Sequence, residues 1–224
     1  MAKPEPARKK TVVVVDDHPI LRRGIVGLIN VDPRLTVVGE AEDVPTALKI
    51  IAERLPDAAV IDITLKDSSG IDLIRDITQK WPEMRVLVFS MHDESFYAER
   101  VLRAGARGYV TKGEPPDRVI EGLHKLLAGE VFVSEKIAAK MLHRVVGGSR
   151  PAEGFPIDSL SDREFEVFTL IGEGLATREI AARLELSVKT VESHRENIKR
   201  KLNIDNATEL LQRAMHWIRF ERGD

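Results

Sequence analysis

The stretch Ala58-Ala59-Val60-Ile61-Asp62 decides the fold, because a short apolar run ends directly on a carboxylate. The four apolar residues have the length and composition of a strand that is covered on both faces. The Ser-Ser-Gly at 68–70 predicts a loop before the next helix. Such a strand places Asp62 at the carboxyl edge of a sheet, where ligands bind in open parallel α/β sheets.

The bulk composition is that of an ordinary soluble chain long enough for two domains. Its 224 residues are 43% hydrophobic and 31% charged, and a net charge of −2 does not by itself indicate a nucleic-acid partner. There are no cysteines, which excludes disulfides, thiolate metal sites and cysteine nucleophiles. No apolar run approaches the roughly 20 residues that a membrane span requires. We therefore expect a cytoplasmic protein with no membrane partner.

A strand followed by a helix recurs five times in the first half of the chain. The helices place apolar residues at i, i+4, i+7 and i+8, as Leu21, Ile25, Leu28 and Ile29 do in the first. Five such repeats predict an α/β fold with a doubly wound, five-stranded parallel sheet. The predicted strands are 11–15, 35–39, 58–62, 85–90 and 108–111, and the later helices are 44–55, 71–80, 96–104 and one that starts at 116.

The pattern changes after Gly129, which ends the fifth helix. Residues 134–145 predict one more amphipathic helix, and the glycine- and proline-rich stretch 147–156 predicts a linker. We therefore divide the chain into four parts. These are a flexible tail at 1–10, a first domain at 11–133, a linker helix and linker at 134–156, and a small all-α domain at 157–224.

Helix-capping signals replace strand signals in the last domain. Ser161 and Glu164 have the spacing of a capping box, in which each side chain bonds an orphan amide of the other residue. Thr177, Ser187 and Asn206 are candidate caps for three further helices. Two helices separated by only a few residues predict a helix-turn-helix.

Acidic residues end two strands that should be neighbours in the sheet. The first strand ends at Asp16 and Asp17 and the third at Asp62, so these carboxylates are expected to converge. Two carboxylates 4 Å apart repel by about 4 kcal/mol at an effective dielectric near 20. A divalent cation offsets that repulsion, and an all-oxygen site favours Mg²⁺. Asp62 is then a candidate acceptor of a phosphoryl group.

Two more polar residues follow strands at the same edge. Ser90 closes the fourth strand and Lys112 follows the fifth. A hydroxyl and an ammonium in one pocket are the donors that phosphate oxygens require. We therefore predict that Ser90 and Lys112 assist the chemistry at Asp62.

The helix that follows Ser187 is the candidate DNA-recognition helix. With Val191 at zero and 100° per residue, Ile198 and Leu202 share its face, which predicts the core side. The other face carries charged and amide groups and spans about three turns, which fits the major groove. The candidates for base edges are Glu192, Ser193, Glu196 and Asn197, and those for phosphates are Lys189, Thr190, Lys199 and Arg200. Periodicity alone leaves open that this is simply a solvated amphipathic helix.

The final helix has an unusually broad apolar face. Leu210, Ala214, Trp217 and Ile218 form one stripe, which Leu211 and Met215 widen. One interpretation is that all of these residues pack on the core of their own domain. The other is that part of the face pairs two copies of the chain, which would match a pseudo-palindromic DNA site.

The first domain resembles the receiver domain of two-component response regulators, which has a flavodoxin-like fold. The resemblance covers residues 11 to about 130 and rests on the acidic pair, the acceptor, the strand-end serine and the run Ala104-Gly105-Ala106-Arg107-Gly108-Tyr109-Val110-Thr111-Lys112. It implies that Asp17, Asp62 and the backbone carbonyl of Thr64 bind Mg²⁺ directly, with Asp16 acting through water. It also implies that Ser90 and Tyr109 form a switch, in which the hydroxyl moves toward the phosphoryl group and the ring turns inward.

Two departures from the receiver pattern affect what can be carried over. Lys66 and Gly113 stand where many receivers have proline. Lys66 bears on the conformation of the loop after the acceptor and on the rate of dephosphorylation. Gly113 removes the reason to expect a cis peptide bond after the lysine.

The last domain resembles the LuxR-type helix-turn-helix. The matching segments are 160–164, 174–181, 187–194 and 199–202. A receiver, a linker and a LuxR-type domain together are the NarL/FixJ arrangement. This arrangement implies a sensor histidine kinase as donor, promoter DNA as target, and a homodimer in the phosphorylated or DNA-bound state.

Two other functions use some of the same residues. A Mg²⁺-dependent phosphatase or phosphotransferase of the aspartyl-phosphate kind needs a second acid two residues after its nucleophile, and Thr64 stands there. It also leaves the helix-turn-helix unexplained. A DNA-binding protein without phosphorylation would have no need of the complete set of pocket residues. We therefore expect a phosphorylated regulator and not an enzyme, beyond hydrolysis of its own acyl phosphate.

Overall fold

The computed structural model describes residues 8–65, 68–146 and 157–222. The chain forms two compact units, Met1–Val146 and Gly147–Asp224. The predicted linker at 147–156, most of the predicted tail, and Lys66 lie outside the described residues.

The first unit contains the predicted parallel sheet with helices between its strands. The five strands pair in parallel in the order β2-β1-β3-β6-β7, which confirms the doubly wound topology. The strands are β1 (Lys10–Val15), β2 (Leu35–Ala41), β3 (Ala58–Ile61), β4 (Thr64–Leu65), β5 (Ser68–Ser69), β6 (Arg85–Ser90) and β7 (Gly108–Thr111). The helices are α1 (Pro19–Val31), α2 (Val44–Arg54), α3 (Gly70–Lys80), α4 (Glu94–Ala104), α5 (Asp117–Leu127) and α6 (Glu135–Val146).

Burial on both faces explains why the central strands are apolar throughout. Val12 to Val15 of β1 are at most 1% exposed, and all four residues of β3 are buried. Helices lie on both faces of a doubly wound sheet, so alternating polar residues would be buried without partners. The apolar run therefore ends only where the chain reaches the carboxyl edge, at Asp16 and Asp62.

The structure differs from the sequence prediction at the start of β1 and in the loop after Asp62. Lys10 is the first residue of β1 and not the last of a tail, because its ammonium lies 2.8 Å from the Asp57 carboxylate. The backbone and hydroxyl of Thr11 also donate to Asp57. Burial would raise the pKa of Asp57, but the bonds from Lys10 and Thr11 lower it. The loop predicted after Asp62 contains a second difference, the antiparallel hairpin β4–β5.

The helix that we assigned to the linker is part of the first unit. Before it begins, Phe132 extends the sheet edge, since its N–H donates to Arg107 O at 2.9 Å and its carbonyl accepts from Tyr109 N–H at 2.8 Å. The Ser134 N–H then donates to the Glu94 carboxylate at 2.9 Å. Ile137 is only 3% exposed. α6 is therefore fixed at its start to both β7 and α4.

In the second unit, residues 157–222 form a short 3₁₀ turn at Ile157–Ser159 followed by four helices. The helices are α7 (Asp162–Gly172), α8 (Thr177–Arg183), α9 (Val188–Leu202) and α10 (Ala207–Arg222). Four residues separate α8 from α9, which confirms the helix-turn-helix outline. Ser187 caps α9 and Asn206 caps α10 by accepting backbone N–H groups, as predicted.

Of the four caps predicted for this unit, Thr177 is wrong and the other three, including Ser161, are correct. Both bonds of the Ser161–Glu164 capping box are present, at 3.3 and 2.8 Å. Thr177, however, is the first residue of α8, and Ala176 holds the cap position. Alanine has no side-chain acceptor, and Glu179 instead accepts the Ala176 N–H at 2.7 Å. The glutamate half of a capping box alone satisfies this helix start.

The apolar stripe of α10 packs on the core of its own unit. The Trp217 ring lies edge-on to Phe165 at 5.2 Å and tilted to Phe168 at 5.8 Å. Leu210 and Ala214 are fully buried, whereas Leu211 and Met215 are each 38% exposed. The narrow stripe is therefore core, and only its wider edge is available to another molecule.

A buried ion pair fixes α9 to the start of α7. The Lys201 ammonium lies 2.6 Å from the Glu164 carboxylate, which is only 6% exposed. Burial would raise the pKa of Glu164, but hydrogen bonds from Lys201 and Ser161 lower it below its usual 4.5. The pair thus stabilises the fold where the carboxylate is ionised.

We expect Lys201→Met to lower the free energy of unfolding of the second unit by about 1–3 kcal/mol at pH 7, because Glu164 stays buried without its counter-charge. Urea unfolding followed by Trp217 fluorescence, in a chain with Trp81→Phe, measures this. The folded-state pKa of Glu164 is depressed, so the stabilisation is present above pH 4.5 and is lost as the pH falls through the folded-state value. The difference from wild type should therefore shrink in acid.

Lys199→Met is the matched control for that measurement. Lys199 lies on the same helix, but its partner Glu196 is 72% exposed, and exposed pairs contribute little. A loss for Lys199→Met as large as that for Lys201→Met would contradict a structural role for the buried pair.

Candidate functional site

The predicted carboxylates converge at the carboxyl edge of the sheet. Oxygen atoms of Asp16, Asp17 and Asp62 and a ring nitrogen of His18 all lie within 4.8 Å of one another. Asp16 and Asp62 are each 3% exposed, and backbone bonds hold them, since Asp16 N–H donates to Ala41 O and Asp62 N–H donates to Val15 O. The parallel ladders of β1 with β2 and β3 thereby place both acids in one pocket.

Lys112 enters the same pocket from the end of β7. Its Nζ lies 2.8 Å from Asp16 Oδ2 and 2.5 Å from Asp62 Oδ2, and its side chain is 2% exposed. A bound metal ion is therefore not needed to supply all of the charge that offsets the carboxylate repulsion. The structure shows that one ammonium bridges two of the three acids.

The protonation preferences of the pocket follow from burial and from this bridge. Burial raises the pKa of Asp62, and the nearby Asp16 adds to the increase, although Lys112 opposes it. Burial would lower the pKa of Lys112, but the carboxylates of Asp62 and Asp16 raise it above its usual value. Lys112 is therefore charged, and two acids share its single positive charge.

The pocket fits a magnesium ion. Asp17 Oδ1 is buried and accepts no hydrogen bond from the described residues, and the His18 Nδ1 that lies 2.7 Å away lacks hydrogen-bond alignment. A buried, unsatisfied carboxylate oxygen needs a cation or a donor. Oxygen ligands on adjacent strands suit Mg²⁺, which binds through one or two carboxylates and retains waters. Direct ligation by Asp17 and Asp62, with Asp16 acting through water, stays a prediction.

Thr64 contacts the acceptor through its backbone and a histidine through its side chain. Its N–H donates to Asp62 Oδ1 at 3.3 Å, and its hydroxyl lies 2.8 Å from His92 Nε2. The role of its carbonyl as a metal ligand stays a prediction.

The predicted switch residues are both buried and are joined through His92. Ser90 is fully buried, and its Oγ accepts the His92 N–H at 3.4 Å. Tyr109 is 2% exposed, and its hydroxyl donates to the His92 carbonyl at 3.0 Å. Burial raises the pKa of the Tyr109 hydroxyl well above its usual value. The ring is therefore turned inward.

His92 is the residue of this region that sequence reasoning missed. Its ring stacks on Tyr97 of α4, with centroids 4.4 Å apart, while its Nε2 contacts Thr64. A single histidine two residues after a strand gives no periodic or spacing signal. Only its position after Ser90 could have drawn attention to it.

The loop after the acceptor is closed by a glycine. Gly70 N–H donates to Ile63 O at 2.8 Å, and Ser69 caps α3 by accepting from Ile71 N–H at 3.2 Å. A Cβ on Gly70 would collide with the backbone carbonyl of Asp62. The start of α3 therefore lies directly against the acceptor.

The candidate DNA-reading helix α9 has the predicted division of faces. Val191, Ile198 and Leu202 are at most 3% exposed and form the core side. All eight predicted DNA contacts lie outside this buried face. Five are exposed and carry the outermost face, while Thr190, Asn197 and Lys199 are half-buried at its sides. The exposed members are Lys189, Glu192, Ser193, Glu196 and Arg200.

Many of these side chains bond within the helix. Lys199 Nζ lies 2.9 Å from Glu196, and Arg200 donates to Asn197 Oδ1 at 2.9 Å. Ser193 Oγ donates to the Lys189 carbonyl at 3.0 Å. These are local, exposed contacts that another partner can replace.

Two protein families match the chain, one in each unit. The response regulator receiver domain matches residues 12–124, and the bacterial regulatory proteins of the luxR family match residues 158–214. The chain is a two-component response regulator. It has the NarL/FixJ arrangement of a receiver followed by a LuxR-type DNA-binding domain.

Relatives of this response regulator span nearly its whole length. It is 32% identical over 209 residues to the oxygen regulatory protein NreC of Staphylococcus epidermidis, covering 91% of this chain and 96% of NreC. It is 30% identical to the transcriptional regulatory protein DegU of Brevibacillus brevis, covering 94% and 96%. RcsB of Salmonella enterica serovar Typhimurium, solved on the rprA promoter with the phosphomimetic BeF₃⁻, is 27% identical with a TM-score of 0.57, covering 92% and 98%.

The response regulator contains no helix in its described parts with the length and apolarity needed to span a bilayer. The peptide bonds of the described residues are all trans, including the bond before Gly113.

We expect Gly70→Ala to displace the acceptor loop and to reduce beryllofluoride binding at the receiver pocket at least tenfold, because the new methyl group and the Asp62 carbonyl cannot share one position. Titration of the full chain with beryllofluoride and Mg²⁺, followed by ¹⁹F NMR, measures this. Gly27→Ala on α1 is the control, since a Cβ there meets nothing within 4 Å. Unchanged binding by Gly70→Ala would show that the close approach does not shape the pocket.

Proposed function

We propose that a sensor histidine kinase phosphorylates this response regulator on Asp62 and that phosphorylation controls binding of promoter DNA by α9, in the cytoplasm. The observation that carries the first half is the Lys112 ammonium held between two buried carboxylates. A lone strand-end aspartate requires no such arrangement.

The residues of the pocket have separate tasks in phosphoryl transfer. A carboxylate oxygen of Asp62 attacks phosphorus as the bond from phosphorus to the histidine nitrogen of the donor breaks, and the donor histidine leaves with the electron pair. Bound Mg²⁺ supplies charge neutralisation at the phosphoryl oxygens. Lys112 is placed to exchange Asp62 for a phosphoryl oxygen, and Ser90 is placed to donate to another. Hydrolysis of the acyl phosphate by water resets the site.

The switch residues connect this chemistry to the surface. Movement of Ser90 toward the phosphoryl group displaces the His92 backbone, which bonds both Ser90 and Tyr109. The next element is α4, whose Glu94 holds the start of α6. We propose that the surface formed by α4 and the start of α6 changes on phosphorylation.

DNA binding by α9 is supported by its face division and by the relatives. RcsB was solved on promoter DNA, and NreC and DegU are regulatory proteins. We propose that Glu192, Ser193, Glu196 and Asn197 contact base edges and that Lys189, Thr190, Lys199 and Arg200 contact phosphates. We further propose that Leu211 and Met215, the exposed edge of α10, pair two phosphorylated or DNA-bound copies.

The residue at position 64 argues against the rival enzymatic function. An aspartyl-phosphate phosphatase needs an acid at position 64 to protonate a leaving group. Here Thr64 binds His92 instead, through its hydroxyl. We therefore propose that the chain hydrolyses only its own acyl phosphate.

We expect Asp62→Asn to abolish phosphorylation of the full chain by phosphoramidate and Mg²⁺, because an amide is not a competent acceptor. Intact-mass spectrometry and gels that retard phosphoproteins measure this. Asp76→Asn is the control, because that carboxylate is partly exposed on α3 and pairs with Lys80 at 3.5 Å, away from the pocket. Undiminished labelling of Asp62→Asn would rule out Asp62 as the acceptor, and removal of Mg²⁺ should stop labelling of wild type.

We expect Arg200→Ala to weaken DNA binding similarly for all sequences and to lower the slope of log affinity against log salt by about one, because a phosphate contact releases one counterion. Fluorescence anisotropy at several salt concentrations measures this. Arg219→Ala removes the same charge from the exposed end of α10 and serves as control. An unaltered slope for Arg200→Ala would remove Arg200 from the phosphate contacts.

A further inference from the structure

Two carboxylates lie side by side on the outer face of α9. Glu192 and Glu196 are both exposed, and four residues at 100° each place them about 40° apart around the helix. Both lie within about 80° of Arg200 and Lys189, on the face proposed to enter the groove. Acids on such a face need a physical reason, since duplex DNA carries one negative charge per roughly 1.7 Å of its axis.

The charge of Glu196 is already balanced inside the helix. Lys199 Nζ lies 2.9 Å from its carboxylate. The other proposed base-edge residues are also engaged, because Ser193 donates to the Lys189 carbonyl and Asn197 accepts from Arg200. The side chains of Glu196, Ser193 and Asn197 must therefore break a contact within the helix before they can bond a base with the same atoms.

Glu192 is different. Within residues 157–222, no side chain or backbone group forms an ion pair or a hydrogen bond with its carboxylate. An exposed glutamate in water needs no partner. In the major groove, however, the negative potential of the DNA phosphates repels the carboxylate, unless a hydrogen-bond donor on a base binds it.

The donors in the major groove are few and differ in their surroundings. Only cytosine N4 and adenine N6 present amino groups there. The adenine amino group lies beside the N7 acceptor, whose lone pair repels the second oxygen of a carboxylate. Cytosine has a C–H edge beside N4 and no acceptor of its own there. A carboxylate with no other partner therefore prefers cytosine.

We propose that Glu192 reads a cytosine in the major groove and so requires a G·C pair at one fixed position in each half-site. The proposal rests on α9 entering the major groove, as proposed above. It assigns the sequence specificity of that helix chiefly to one acid, while Lys189 and Arg200 supply affinity that does not depend on sequence.

Selection from a random duplex pool by the full chain, loaded with beryllofluoride and Mg²⁺, tests the proposal. Wild type should enrich a site with cytosine at one position of each half. Glu192→Gln should lose that preference about tenfold and favour adenine there, because an amide bonds adenine N6 and N7 together. Glu192→Ala should lose the preference without gaining a new one.

Asp205→Asn is the control, because it removes one exposed negative charge from the turn after α9 and should leave the selected site unchanged. The same cytosine enriched equally by wild type and Glu192→Gln would overturn the assignment of Glu192 and leave DNA binding intact. Failure of wild type to enrich any sequence would instead overturn the proposed DNA-binding function, and this inference with it.

Discussion

The bridge from Lys112 to Asp16 and Asp62 is the contact on which the first unit depends. It joins residues that follow β1, β3 and β7, and β6 lies between the last two strands. Two buried carboxylates without a counter-charge would repel, and a buried ammonium alone would lose its proton or be drawn to water. The sheet order is thus tied to one charge balance at its carboxyl edge. Because a phosphoryl group brings further negative charge to the same place, any phosphorylation must redistribute the bonds of Lys112.

The fold could be predicted from the sequence because a strand that is buried on both faces is a continuous run of apolar residues. Each such run is followed by a polar residue, which marks where the strand ends. Val12–Val15 and Asp16 are an example, and so are Ala58–Ile61 and Asp62. The same logic placed the carboxylates and Lys112 together. It could not find the His92 contact with Thr64, since periodicity reports which face is buried and not which rotamer meets which partner. The prediction of Thr177 as a cap was wrong, because a hydroxyl near a helix start is a common cap. In the structure Glu179 accepts the Ala176 N–H instead, and this contact has no separate signal in the sequence.

The contacts at the start of α6 connect the receiver pocket to the end of the first unit. The start of α6 is held by β7, which contains Tyr109, and by α4, which begins four residues after Ser90. Phe132 pairs with the backbone on both sides of Gly108, next to Tyr109, and Ser134 bonds Glu94 just after His92. The Phe132 ring is buried, with the Arg118 guanidinium 4.4 Å from its centroid. A shift of either element therefore strains the start of α6, which ends at Val146, directly before the segment that leads to the second unit.

Exposure separates two kinds of charge on α9. Lys201 meets a carboxylate that is almost fully buried and holds the helix on α7. Lys199 and Arg200 meet Glu196 and Asn197 at the surface, where such contacts are worth about 0.2–1 kcal/mol and are screened by salt. A phosphate or a base can replace bonds of that size readily, whereas breaking the pair of Lys201 with the buried Glu164 carboxylate would destabilise the domain. The helix can therefore exchange its outer partners for DNA while its inner face stays fixed. The Glu192 carboxylate makes no ion pair or hydrogen bond within residues 157–222. It can therefore bond an amino group in the groove without first breaking a contact within the protein.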